Sequence, residues 1–411
     1  MSYFEKITSE FDSQNTSAFN TLEVGELSYV FQGDFVYGLN PQLWNTAVIS
    51  GTGATVDTSS SRLRIQSGTN SAGYAYIQGR KTIRYRAGQG TNARFTPVFT
   101  TGVANNIQLW GIGSVVSNLP YDGWFFGYNG TTFGIAYYNG GSVTWTAQGS
   151  WNGDHLDGTG PSGITWNPTN GTPVMIKYPY LGYGDVFFYV QNPLVGGWIL
   201  AHIIRYANTS NNTELTNPTL QFMGFTLNSG NTTNQTMYCG SVGIAISGLR
   251  NFASNPKWSV DNNKSGITTE TCLINIQNCT TYNGVANRAL LRLNTLSGLG
   301  TSGGSNVSIF RLKTGVTIGG SPSWTAVNGT ESVGGTVVTG GNSVATIDTA
   351  GTTVLGGNYI WNISTFNSSS GFVVDLTPFE IYIAPGEILT VSGFSTASAS
   401  QYVSINWSED I

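Results

Sequence analysis

The sequence predicts an all-β protein of two β-sandwich, jelly-roll-like domains preceded by an N-terminal arm. Three observations predict it. Short apolar or alternating runs rich in Val, Ile, Thr, Tyr and Phe recur from residue 60 onward, each bounded by Gly, Asn or Pro, while helix-period patterns are nearly absent. Asn-Gly pairs stand between such runs where hairpins need them. The chain is 39% apolar, with 11 Trp, 20 Tyr and 20 Phe in 411 residues, enough to bury a large core.

Taken in order, residues 1–35 form an arm. Residues 1–34 carry Glu5, Glu10, Asp12, Glu23, Glu26 and Asp34 against Lys6 alone, with scattered aromatics at Tyr3, Phe4, Phe11, Phe19 and Phe31. Such an arm docks on a neighbour or on its own domain. Residues 36–250 read as the first sandwich, of roughly ten strands. Alternation marks 62–65, 74–78 and 82–86, and 94–100 follows the turn at 87–90. Asn129-Gly130 separates 124–128 from 132–137 and predicts a type I′ turn with two positive φ angles; Asn139-Gly140 repeats the device. Runs 185–191 and 198–206 pair through a longer loop at 192–197, and 221–227 and 241–247 complete the set.

Residues 251–263 are polar and patternless and read as a linker. Residues 264–411 then hold eight or nine strands, at 271–277, 287–294, 305–313, 343–348, 358–363, 371–376, 380–383, 387–392 and 401–407, a second sandwich of jelly-roll size. Gly/Thr/Ser-rich spacers at 296–304 and 334–341 read as its loops. No repeat of fixed period points to a solenoid or propeller.

Charge narrows the function classes. Only 38 residues are Lys, Arg, Asp or Glu, and 54 are Gly, whereas about a quarter of an ordinary globular domain is charged. The surface is therefore built from neutral hydrogen-bonding groups, which suits extracellular water or coverage by copies of the same chain and poorly suits a metabolic enzyme. The net charge of −4 names no partner. Residues 1–10 do not read as a Sec signal, and the longest strongly apolar stretch, 198–204, is about a third of a membrane span, so no membrane insertion is expected. Cys239, Cys272 and Cys279 lack zinc-site spacing; Cys272 and Cys279 could close a small loop, but free thiols made in a reducing cytoplasm fit better.

Residues 58–121 carry no acid but hold Arg62, Arg64, Arg80, Lys81, Arg84, Arg86 and Arg94. Arg80, Lys81, Arg84, Arg86 and Arg94 are candidates for polyanion binding or for a subunit contact with the acidic arm. Arg84 and Arg86 alternate with Ile83 and Tyr85, as on the outer face of a strand, and no recognition motif accompanies the charge, so nucleic acid is not an expected partner.

Chemistry is sparse. Hydrolytic sandwiches need two carboxylates at fixed separation, and no strand carries acids at i and i+2 or i+4. Asp154 and Asp157, flanked by Asn152 and Asn167, are candidate Ca²⁺ ligands in a Gly-rich loop, or simply turn formers. No other cofactor is expected. His155 lies beside Asp154 with Ser150 nearby, but no nucleophile elbow frames them, and His202 sits inside an apolar run. Trp124, Trp151 and Trp166, near predicted loops, are candidates for stacking on sugar rings, against the alternative that they are core. The chain reads as a non-enzyme.

Several of these runs are shared with a known group. Residues 80–90 (RKTIRYRAGQG), 93–96, 127–134 (GYNGTTFG), 151–160 (WNGDHLDGTG) and 202–208 (HIIRYAN) resemble a module in virion proteins of tailed bacteriophages and other large aquatic DNA viruses, over about residues 20–250. The hairpin order is similar to concanavalin-like jelly rolls. The ending, 384–387 and 403–410, looks like the C-terminal β domain attached to that module. The resemblance implies a virion structural protein made in the host cytoplasm: a capsid-surface, head-fibre or tail component, assembled as a homo-oligomer, expected to be a trimer, with its arm on other virion proteins. The alternative is a host-attachment protein that binds a surface glycan. A glycosidase or esterase using Asp154 and His155 is the third reading.

Overall fold

The computed structural model describes residues 27–48, 53–248, 255–301, 306–327, 337–338, 343–366 and 371–410. The chain divides into two compact units, Met1–Arg250 and Asn251–Ile411. Both are built from antiparallel sheets, and no α-helix occurs among the described residues. The all-β class predicted from alternation holds.

The N-terminal unit has fifteen strands among its described residues: β1 Leu27–Asp34, β2 Trp44–Val48, β3 Thr55–Ser59, β4 Arg62–Gln66, β5 Tyr74–Gly79, β6 Thr91–Val98, β7 Asn106–Val116, β8 Leu119–Asn129, β9 Thr132–Asn139, β10 Ser142–Ala147, β11 Val174–Tyr178, β12 Val186–Gln191, β13 Trp198–Ile204, β14 Gln221–Asn228 and β15 Thr236–Ser247. One sheet runs β13-β12-β11-β6-β15-β4-β3, with β1 also on β15; the other runs β10-β9-β8-β7-β14-β5-β2. Side chains alternate across each strand, so Leu63, Ile65, Ala93 and Phe95 of the first sheet and Trp110, Ile112, Trp124 and Phe126 of the second join one core. The alternate residues of the second sheet, Leu109, Phe125, Ala136, Met223 and Phe225, form a separate buried cluster.

Several expectations need correction. The residues 27–34 assigned to the arm are β1, paired with β15 from Leu27↔Ser247 to Asp34↔Ser241; apolar Val30 and Phe31 are buried and recruit the segment into the core. The rest of the arm, residues 1–26, lies outside the described residues. Residues 82–86 are not a strand, since only Ile83 bridges to Leu220. At the β8–β9 hairpin, Asn129 pairs with Thr132 as the last strand residue, and of the two turn residues only Gly130 has positive φ (60°), which is the II′ signature rather than I′. The two-positive turn comes one hairpin later, at Gly140 (58°) and Gly141 (83°).

In the C-terminal unit, one sheet orders Lys257–Ile267, Ala399–Asp410, Leu290–Thr301 and Gly371–Asp375, with Tyr382–Ile383 also on Leu290–Thr301. The other orders Thr325–Ala326, Ala345–Asp348, Thr271–Asn278, Ile388–Ser395, Val307–Ile318 and Val354–Phe366. Leu291, Leu293, Ile405 and Trp407 of the first and Ile274, Ile276, Phe310 and Val391 of the second share a core. The linker reading fails for residues 257–263: they open an eleven-residue strand whose Trp258 and Val260 face that core at two-residue spacing. Residues 296–301, expected in a loop, end Leu290–Thr301. Most of the 334–341 spacer lies outside the described residues. All three cysteines are buried and unpaired.

Candidate functional site

The three candidate sugar-stacking indoles are core. Trp124, Trp151 and Trp166 are 0%, 2% and 7% exposed. Trp166 meets Phe126 and Phe133 at centroid distances of 5.7 and 5.1 Å, Trp151 lies 6.5 Å from Trp166, and Trp124 packs on Tyr178 at 4.7 Å. A large apolar ring gains more by full burial than a loop gains by displaying it, so none of the three presents a face to a ligand.

The 151–160 loop closes a sheet edge. Strand β13 (WILAHII) ends its sheet and carries no charge. The Asn152 carboxamide answers Ile203 as a strand residue would: its Nδ2 donates to the Ile203 carbonyl and its Oδ1 accepts the Ile203 N–H, both at 2.8 Å. Gly153 and Asp154 donate their N–H groups to Ala201 and Leu200 at 3.1 and 2.9 Å. His202 Nδ1 accepts the Asn152 N–H at 3.2 Å, and burial pushes the imidazole down to about 4, which keeps that nitrogen an acceptor.

The candidate metal ligands take part in local hydrogen bonds. Asp154 is buried; its Oδ1 accepts the Leu156 N–H at 2.8 Å and its Oδ2 the Ser162 N–H at 2.6 Å. Burial works against its ionisation, but the bonds from Leu156 and Ser162 hold its pKa below the ordinary carboxylate value. Asp157 caps its own turn, with Oδ1 accepting from the Thr159 N–H and hydroxyl at 2.9 and 2.6 Å. Among the described residues no three His, Cys, Asp or Glu gather as a metal site. Both aspartates make the local hydrogen bonds of turn formers.

The basic cluster is tied into the unit. Arg80, Lys81, Arg84, Arg86 and Arg94 are all half-buried. Arg80 donates to the Pro41 carbonyl at 2.7 Å, Arg94 Nε to Asn92 Oδ1 at 3.2 Å, and Lys81, Arg84 and Arg86 each have partners. They do not form the exposed stripe that a polyanion footprint requires.

Sequence reasoning passed over three features. The first is Glu214, fully buried, whose Oε1 accepts Trp124 Nε1–H at 3.2 Å while Oε2 has no partner among the described residues. Burial pushes it up to about 8, so it is held protonated. Tyr137 and Tyr180 donate to the carbonyls of Glu214 and Leu215, which makes this segment a structural plug rather than an open acid site.

The second is an open edge. Val354–Phe366 ends its sheet, pairs only with Val307–Ile318 among the described strands, and carries neither charge nor proline over thirteen residues. Leu355 and Tyr359 on it are 63% and 57% exposed. The third is a pair of surface clefts. One, of about 820 Å³, lies against β1 and the loop after it, but its Asp34 and Asn40 oxygens accept the N–H groups of Val36 and Gln42 in local turns, and its Trp44 is core. The other, of about 470 Å³, lies on the C-terminal unit and is lined by Asp261, Asn263, Ser297, Leu299, Tyr402 and Ser404 among others.

No protein-family profile matches the chain, and no curated protein does. Among solved structures it is similar to the carbohydrate recognition domain of Emp47p, at 11% identity over 55% of this chain and 98% of that one, with a TM-score of 0.35. It is similar to a lectin from Bauhinia forficata solved in complex with GalNAc, at 13% identity over 54% and 100% of the two chains and a TM-score of 0.34. It is also similar to an immunostimulatory antigen and pseudo beta-1,3-glucanase of Mycobacterium tuberculosis, at 12% identity over 55% and 100%, again with 0.34. These likenesses concern the lectin-like β-sandwich fold alone.

Proposed function

We propose that the chain is a non-enzymatic structural protein of a virus particle that works as a homo-oligomer. The observation that carries the assembly reading is the open edge. Exposed edge strands are templates for pairing, and proteins that stay monomeric blunt them with Lys, Pro, bulges or covering loops. Val354–Phe366 carries one bulge, at Ile360 between the pairs Leu312↔Trp361 and Lys313↔Tyr359, and neither Lys nor Pro. The opposite sheet of the same unit ends on Lys257–Ile267, which bears Lys257, Asp261 and Lys264. An edge left apolar and uncharged beside one that is charged is a surface built to be covered.

The non-enzymatic part is supported by how the reactive groups are used. Asp154 and His202 hold backbone N–H groups, and Glu214 is sealed among aromatics. The setting in a particle rests on the likeness of residues 20–250 and of the chain's ending to phage virion modules. An edge strand paired with its own copy closes on a two-fold axis, so a trimer needs a second contact besides this one.

Light scattering on the size-fractionated full chain tests the reading. The wild type elutes at a multiple of 43.8 kDa, and the double variant Leu355→Glu/Tyr359→Glu elutes as the single chain. A wild type that is a monomer at every concentration sinks the proposal.

A further inference from the structure

We infer that the outward face of the sheet formed by Lys257–Ile267, Ala399–Asp410 and Leu290–Thr301 binds a neutral oligosaccharide. The register sets the face. Tyr402 stands between Asn263 and Leu299, and Ser404 between Asp261 and Ser297, each row crossing three neighbouring strands. Val403 and Ile405, the alternate residues, are buried in the core, so Tyr402 and Ser404 point outward. Strand spacing of about 4.8 Å places these polar groups at intervals comparable to the hydroxyls along a sugar chain.

The chemistry fits a polyol. Tyr402 is 44% exposed, offering an aromatic surface to the C–H face of a pyranose with a hydroxyl at its rim. Among the described residues, the side chains of Asp261, Asn263, Ser297, Ser404 and Tyr402 have no hydrogen-bond or ion-pair partner. That leaves a carboxylate, an amide and two hydroxyls free for a ligand beside the ring. The groove of about 470 Å³ lies in the range of small-ligand sites, about 300–1,000 Å³. Among the described residues Asp261 is the one charged residue lining it and no cation does, which disfavours sulfated or carboxylated glycans. A peptide strand is disfavoured too, because backbone groups in the middle of this sheet are already paired across the ladder. The site goes beyond the assembly reading and does not depend on it.

The test is calorimetric titration of the full chain with four neutral hexasaccharides: cellohexaose, laminarihexaose, mannohexaose and chitohexaose. At least one binds; Tyr402→Ala weakens it by about tenfold or more, as loss of one aromatic platform should, and Asp261→Ala weakens it further. Tyr402→Phe retains most of the affinity, which separates stacking from a folding defect. The mass of Tyr402→Ala in solution matches the wild type, so failure of this inference is distinguishable from failure of assembly. Absence of binding to all four sugars overturns the inference, as does a Tyr402→Ala titration like the wild type, or equal affinity for an acidic hexasaccharide of hyaluronan.

Discussion

Two uncharged sheet edges meet opposite fates in this chain. Strand β13 of the N-terminal unit is closed by Asn152, Gly153 and Asp154, which supply five hydrogen bonds to it from within the same unit. Val354–Phe366 of the C-terminal unit is nearly twice as long, equally uncharged, and pairs with no strand on its outer side among the described residues. Both have the composition that invites strand addition. The difference teaches that low charge does not by itself mark an interface: what matters is whether the chain provides its own cap. Where it does, the edge is structural; where it does not, the edge stays open to a partner strand, the place proposed above for a second copy.

The largest way to break the contrast is to push the cap away. A Cβ on Gly153 would sit 2.4 Å from the Leu200 carbonyl and 2.9 Å from that of Ala201. Gly153→Val therefore displaces the loop, removes the Asn152 bonds and loosens Trp151, and the expected cost is about 3–5 kcal/mol, in the range of core disruptions. Urea unfolding of wild type and variant measures it; a loss below about 1 kcal/mol would show that the loop does not hold the edge.

Acid probes the same cap more gently. His202 ionises at about 4 in the fold against 6.5 when free, so between those values the unfolded chain takes up a proton that the folded chain refuses. Its contribution is complete above pH 6.5 and is lost as pH falls through that window, about 2 kcal/mol between pH 7 and 5. Glu214 acts in the opposite sense: raised from 4.5 to about 8, it favours folding fully below 4.5 and loses that advantage as pH rises toward 8. Stability measured in a Glu214→Gln background removes one group of opposite sense, and adding His202→Gln then removes the histidine's share of the slope. An unchanged slope after that second substitution would mean that another group carries it.

Much of this architecture is legible in the sequence because strands alternate. Period and turn residues mark the pairs 124–128/132–137 and 185–191/198–206, which correspond to β8/β9 and β12/β13. What alternation cannot show is which polar residues face a neighbour. Residues 257–263 (KWSVDNN) do alternate, but with only Trp258 and Val260 as apolar markers the pattern falls below a recognisable run. That hid Asp261 and Asn263 and with them one of the four strands that line the groove. The indoles misled for a related reason: Trp151 and Trp166 lie in irregular segments that sequence places at the surface, yet both fold inward onto Phe126 and Phe133. Asp154 offered a metal-like pattern because turn formers and Ca²⁺ ligands are the same residue types.

Removing only the side-chain half of the cap sharpens the comparison. Asn152→Ala deletes two hydrogen bonds at 2.8 Å while leaving the backbone bonds of Gly153 and Asp154 in place, which should cost about 1–2 kcal/mol. It also partly opens β13. The variant is expected to gain weak, concentration-dependent self-association seen by light scattering; a destabilised variant that never associates would show that a short edge of seven residues is safe even uncapped.

The smallest energetic effect belongs to the mirror experiment. Asn358 is exposed on Val354–Phe366, opposite Thr314 on its one neighbour. Asn358→Lys buries nothing and breaks no side-chain hydrogen bond among the described residues, so chain stability should stay within about 0.5 kcal/mol, as for ordinary surface changes. A lysine on the open edge nevertheless sets like charges against each other when two copies approach and must be desolvated on pairing. Oligomer dissociation at a higher protein concentration than wild type, with an unchanged urea midpoint measured at a dilution where both are single chains, is the expected result. A change in stability without a change in mass would reverse the assignment and make Val354–Phe366 the structural edge.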